Sequence, residues 1–311
     1  MLTLWVVVFL AMLSSAIATN VAAHLQVVSD LKWSARARAI GMRAVADALD
    51  LLESDRSLTC DTMHEAWAGS DTRFKDVPYA GATYSVMHDG DDARSGAQSQ
   101  YGLTDEEGKI NVNRAPVAHL AALLRLAGMI AAQADDVASY IVDWRDANTA
   151  KEGGAGPEAC ASVAVPSRCK NASFESLEEL WWMPGMTPAI YDVLQRELTL
   201  YGAGTVNANT ATSLALQALG LTAHGADRLI AWRSRAGNVF DNASAIIAHA
   251  AEMGMTEPDR VKLGTIVAAG SLGTFSNFYR GLVLAEYGGR TRTVAQFLLD
   301  RGEKTIRWWR E

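Results

Sequence analysis

The sequence predicts an α+β fold in which a long N-terminal helix leads into an antiparallel sheet whose strands are separated by a large, all-helical insertion. Three observations lead there. Helical patterning runs from the N-terminus past residue 50, and strand-like stretches occur both before residue 110 and after residue 265. The region between them is rich in alanine and leucine at helical spacing. Insertion into one sheet explains this order of strands, helices and strands better than two consecutive domains would.

The first helix opens with Met1 to Ala23, an apolar run with no charge before Asp30. At 1.5 Å per residue that run is roughly 34 Å long, enough to cross a hydrocarbon layer of roughly 30 Å. A membrane anchor is the leading reading. A cleavable secretory signal competes with it, because Ala16-Ile17-Ala18 resembles a small-residue cleavage site. A buried core helix fits poorly at the extreme terminus. The basic residues Lys32, Arg36, Arg38 and Arg43 all follow the run, which taken alone favours their staying on the cytoplasmic side. A short basic leader upstream of Met1 would reconcile that pattern with export.

The helical pattern continues through Leu31, Ala35, Ile40, Val45, Leu49 and Leu52, with no proline and only Gly41 to interrupt it. Beyond it, Thr83 to His88 has strand composition and Asp89 to Asp92 reads as a turn. Near the C-terminus, Phe275–Ala285, Arg292–Leu299 and Lys304–Trp309 are separated by Gly288-Gly289 and by Gly302, as in an antiparallel meander. The expected organisation is a membrane segment over 1–25 and a continuing helix over 26–56. The first part of the sheet domain follows over 57–109, then the helical insert over 110–265 and the closing strands over 266–311.

Within the insert the sequence repeats itself. Ile110-Asn-Val-Asn-Arg-Ala115 matches Val206-Asn-Ala-Asn-Thr-Ala211, and each copy is followed by a leucine-rich helix and a Trp-Arg pair, Trp144-Arg145 and Trp232-Arg233. Two helix-hairpin-like (SAM-like) repeats are expected. The N-x-N-x-A element is read as a helix cap combined with a turn rather than a ligand contact.

Composition narrows the function. A net charge of -7 over 311 residues argues against a duplex-binding surface, which needs clustered lysine and arginine. His24, His64, His88, His119, His224 and His249 are dispersed, and no serine or cysteine sits in a nucleophile elbow. There is no phosphate-cradling glycine loop. An enzyme is not expected. The tryptophan pairs Trp181-Trp182 and Trp308-Trp309 are read as core or interface.

These elements resemble the K-type minor pseudopilin (GspK) of the bacterial type II secretion system. The resemblance is carried by the apolar N-terminal helix, Glu107-Gly-Lys-Ile-Asn-Val-Asn113, Ile141-Val-Asp-Trp-Arg-Asp146, Ser176-Leu-Glu-Glu-Leu180 with Met183-Pro-Gly-Met186, Val206-Asn-Ala-Asn-Thr-Ala211 and Arg233. It implies a pilin-like fold with a large inserted α-domain and a place at the tip of a periplasmic pseudopilus. The head would lie in the periplasm on a single pass through the inner membrane. The implied partners are the I-, J- and H-type minor pseudopilins, the inner-membrane assembly platform and a prepilin peptidase, with no nucleic acid. The leader and glycine cleavage site of such proteins are not in this sequence. The glutamate usual at the fifth mature position of pseudopilins is characteristically missing from the K-type, and the apolar run here carries no acid.

Asp143, Asp146, Asn148 and Glu158 surround a loop containing Gly153, Gly154 and Gly156. Hard oxygen donors on a flexible loop suit Ca²⁺, and the resemblance implies calcium in this region. A solvated acidic loop is the competing reading. Cys160 and Cys169 flank the same loop; outside the cytoplasm they are expected to pair, whereas in the cytosol they would stay thiols, and Cys60 stands alone. An alternative function remains at this stage. Asn207 to Phe240 also resembles helix-hairpin-helix units, which would make the chain a membrane-anchored DNA receptor.

Overall fold

The structure is a computed structural model and describes residues 2–54, 59–88, 100–147, 169–287 and 290–310, with backbone only at 290–293 and 307–310. Its spine is helix α1, Leu2–Ser54. With no proline and one glycine in 53 residues, nothing in the sequence breaks it, and at 1.5 Å per residue it is roughly 80 Å long. Only its second half is covered. Ile40, Gly41, Ala44, Val45, Ala48 and Leu52 form one buried stripe, whereas every residue from Leu2 to Lys32 is exposed.

That stripe lies on an antiparallel sheet in the order β1-β2-β8-β9-β10. These strands are β1 (Val77–Tyr79), β2 (Ala82–Met87), β8 (Phe278–Tyr287), β9 (Arg290–Asp300) and β10 (Thr305–Arg310). The short β3 (Thr104–Asp105) joins the same side of β8 as β2, one step further along, with Thr104 opposite Arg280. β8 alternates as a half-buried strand should, turning Tyr279, Gly281, Val283 and Ala285 towards the helix. Gly281 is required there, because a Cβ would lie 2.6 Å from the Phe297 ring. Ile40, Leu52, Trp67, Tyr84, Val283 and Phe297 belong to this first core. The three expected C-terminal runs are all strands, and the Thr83–His88 stretch lies in β2; the Asp89–Asp92 turn falls outside the described residues.

A second core fills the insert, from Ile110 to Leu272. It is made of two successive units of like construction. The first runs from β4 (Ile110–Asn111) through α3 (Val117–Leu126), α4 (Ala131–Arg145), a 3-10 turn at Leu177–Trp182 and α5 (Pro188–Glu197) to β5 (Leu198–Thr199). The second runs from β6 (Val206–Asn207) through α6 (Ser213–Ala218), α7 (Ala223–Arg233), α8 (Ala243–Ala248) and α9 (Glu257–Ala268) to β7 (Leu272–Gly273). In each unit the first strand pairs in parallel with the last. Each unit holds two helix hairpins, and all four turn on a glycine in the left-handed region: Gly128, Gly185, Gly220 and Gly254. The short α2 (Asp71–Phe74) belongs to the sheet domain and buries Phe74 in the first core.

Candidate functional site

Three features are candidates for function: the bare stem, the junction between sheet and insert, and the expected calcium ligands. From Leu2 to Ser29 the stem bears no charge, and Leu4, Trp5, Phe9, Leu13, Ile17 and Leu25 all face outward. Apolar surface of that extent is not left in water. Among the described residues this is the one helix that qualifies by length and composition as a membrane span, and no described residue covers its most apolar stretch.

The insert's internal repeat is built from the same hydrogen bonds twice. In the first unit the Asn111 side chain accepts from the Asn113 amide at 2.8 Å, while Asn113 forms a two-way bond with the backbone of Phe174 at 3.0 and 2.7 Å. In the second, Asn207 accepts from the Asn209 amide at 2.9 Å, and Asn209 holds the backbone of Phe240 at 2.8 and 3.0 Å. Each arginine of the Trp-Arg pair closes its own unit. Arg145 donates to the carbonyls of Val112 and Ala115, and Arg233 to those of Ala208 and Ala211. The turn half of the N-x-N-x-A reading therefore stands, but the cap does not. The next helices begin at Pro116 and Thr212, so the second asparagine is a clamp on a distant strand of backbone. Spacing inside the motif could not reveal a partner 61 or 31 residues away.

The junction was not foreseen as a site. Three successive acids, Asp105, Glu106 and Glu107, are all buried in it. Asp105 accepts from Asn207 at 3.1 Å, Thr210 at 2.6 Å and Ser276 at 2.7 Å, and from the Glu107 amide at 2.8 Å. Burial nonetheless pushes its carboxyl up to about 7. Glu106 meets Lys109 at 2.6 Å, Arg280 at 3.2 Å and Thr199 at 2.6 Å. Burial opposes its ionisation, yet Lys109 and Arg280 outweigh that and hold it below the usual carboxylate range. Asp61 receives a two-pronged bond from Arg301 at 2.7 and 2.8 Å, and burial still raises it. Burial also raises Glu107, which accepts from the Asn277 amide. The seam thus ties β3, both insert units and the β8–β10 region into one polar knot. The only sequence signal was the run of three acids just before Gly108-Lys109.

Of the four proposed calcium ligands, Asp143 is buried near the end of α4 and Asp146 is half-buried as its C-terminal cap; Asn148 and Glu158 lie outside the described residues. Two carboxylates at the negative end of a helix dipole suit a hard cation. Cys169 packs against the insert core; Cys160 is outside the described residues, so their pairing stays an expectation, and Cys60 is a buried thiol. The histidines stay dispersed: His64 bonds the Arg233 carbonyl at 2.8 Å, and His249 stacks on Trp232 and reaches Glu252. Trp181 and Trp182 are 45% and 48% exposed, with Trp181 stacked on Tyr191. They belong to surface rather than core.

The hairpins also speak to the DNA reading. The N-terminal caps of α7 and α9, Thr222 and Thr256, both donate to the buried Asp259 carboxylate at 2.7 Å. An internal acid therefore occupies the convergence of two helix N-termini, where a phosphate would otherwise be drawn.

Residues 95–203 match the family model described as type II secretion system (T2SS), protein K. The matched stretch takes in Asp105, Glu106 and Glu107 of the seam, β3 and the whole first unit of the insert. Among solved structures, a chain in the crystal structure of the GspK-GspI-GspJ complex from the enterotoxigenic Escherichia coli type 2 secretion system superposes with a TM-score of 0.68 at 16% sequence identity, covering 91% of this chain and 98% of that one. At that identity the likeness shows the fold: a long helix, an antiparallel sheet and an inserted helical block. No curated protein sequence matches the chain. The protein K match falls where the chain carries its three consecutive buried acids and its first asparagine clamp.

Proposed function

We propose that this chain is a K-type minor pseudopilin of the type II secretion system, a structural subunit rather than a catalyst. In this reading the stem crosses the inner membrane once and the head stands in the periplasm. The observation that carries it is the pairing of an uncovered apolar stem with a head that has a second, helical core built into its sheet. The stem would pack beside the stems of I-, J- and H-type partners, since apolar helices lacking charge associate by close packing within the bilayer. The insert would then stand over the fibre end and leave no room for a further subunit. That makes this the tip subunit, and assembly would begin from it. A subunit at the tip has no neighbour above it whose terminal amine needs an acid, which agrees with the acid-free apolar run. A prepilin peptidase and the inner-membrane assembly platform would act before and during its incorporation.

Asp143, Asp146, Asn148 and Glu158 would hold Ca²⁺, which would supply a rigid cross-link between the end of α4 and the loop beyond it. Cys160 and Cys169 would close the same loop covalently. The test of the function is purification of the intact chain from membranes of cells making the whole system. Co-purification of small pilin-like subunits in fixed ratio is expected; recovery of the chain alone, with its stem intact and membrane-inserted, would remove the proposal.

A further inference from the structure

The stem's uncharged stretch, Leu2 to Ser29, spans 28 residues and so rises roughly 42 Å. That is more than enough to cross a hydrocarbon layer of roughly 30 Å. Charge is costly in that layer, so Asp30, Lys32 and Arg36, the first charged residues after the run, mark its head-side edge. The sheet meets the stem at the same level. Tyr287, the last residue of β8, stacks on Trp33 at 5.9 Å between ring centroids, and the Arg36 guanidinium lies 4.4 Å over the same Tyr287 ring. Lys32 and Arg36 are exposed, and Tyr287 is 41% exposed. Backbone register sets Arg290 opposite Tyr287 and Arg292 opposite Ala285. The sequence thus gathers Lys32, Arg36, Arg38, Arg290 and Arg292 about this level against Asp30 and Glu286, in a chain whose net charge is -7.

We propose that this collar, Lys32, Trp33 and Arg36 on the stem with Tyr287 on the sheet, binds anionic phospholipid headgroups where the stem leaves the membrane. The inference rests on the reading of the stem as a membrane span. Both chemistries of an interfacial anchor are present: aromatic rings with an apolar body and a polar edge, and cations that an anionic leaflet attracts. Because one partner of the Trp33–Tyr287 stack belongs to the helix and the other to the sheet, lipid seated here would fix the head's tilt over the bilayer as well as its height.

The test uses the full chain inserted into vesicles of phosphatidylcholine mixed with phosphatidylglycerol, then extracted mildly, with the co-purifying phospholipid analysed. Phosphatidylglycerol should be enriched about fivefold over its bulk share at low salt, and the enrichment should fall as salt screens exposed charge. The Lys32→Gln/Arg36→Gln double variant should lose that enrichment while entering pure phosphatidylcholine vesicles as readily as the parent. Equal lipid shares in the parent, or enrichment undiminished in the double variant, would overturn the collar and leave the span intact. A parent that entered no vesicle would overturn the span and the collar together.

Discussion

Asp105 is the residue on which the joint between sheet and insert turns. Its folded-state carboxyl, pushed up to about 7 by burial, keeps a proton that the unfolded chain releases near 3.8. The folded state then binds more protons between those values, so stability declines as pH rises from about 4 to about 7. The raised Asp61 and Glu107 act in the same direction. Glu106, held low by Lys109 and Arg280, acts in the opposite sense, its contribution being lost only as acid protonates it. A shift of about three units is worth at most on the order of 4 kcal/mol. Asp105→Asn is therefore expected to flatten the fall in stability between pH 5 and pH 8, measured as the denaturant midpoint of the detergent-solubilised chain. A variant as pH-sensitive as the parent would show that the proton sits elsewhere. Arg233 has the complementary problem. Burial pulls it down to about 9, and it is answered by the backbone carbonyls of Ala208 and Ala211.

Among the elements, helix α1 and the closing strands were legible because their signals are local: an unbroken apolar period, and glycines between alternating runs. The repeat in the insert was legible too, since Asn111/Asn207 and Arg145/Arg233 recur in order. Its mechanism was not, because each clamp closes on backbone far along the chain. The two units also differ in one telling place. Phe174 follows Arg145 by 29 positions, whereas Phe240 follows Arg233 by seven. The second unit closes its clamp across a short connection, so the clamp itself does not require the longer one in the first. The longer connection carries Asn148, Glu158 and Cys160, and long connections between packed elements are where function concentrates. Added Ca²⁺ should raise the chain's melting temperature and chelator should lower it, by mass action on the folded state. Thiol titration without reductant, under denaturing conditions, should find one reactive cysteine. A melting temperature indifferent to both additions would remove the cation, and three thiols would remove the bridge.

At the scale of the whole molecule, the order of strands, helices and strands disclosed the insertion but not how it is held. Spacing shows that segments alternate; only three-dimensional contact shows that Asp105, at the entrance, and Ser276, at the exit, meet at 2.7 Å. If the insert stops growth at the fibre tip, removing residues 110–273 should leave a sheet that still folds on α1 while fibres lengthen and secretion falls. Fibres of parental length with undiminished secretion would refute that role.

Because the chain leaves the sheet and comes back to it at one point, the insert lies off the line along which force travels. A pull on the stem passes from α1 into β8 and β9 through the Ile40-to-Leu52 stripe and need never cross the helical block. If the chain is a fibre subunit as proposed, the block is cargo on a loaded beam, and axial load on this subunit would leave the hairpins it carries unstrained.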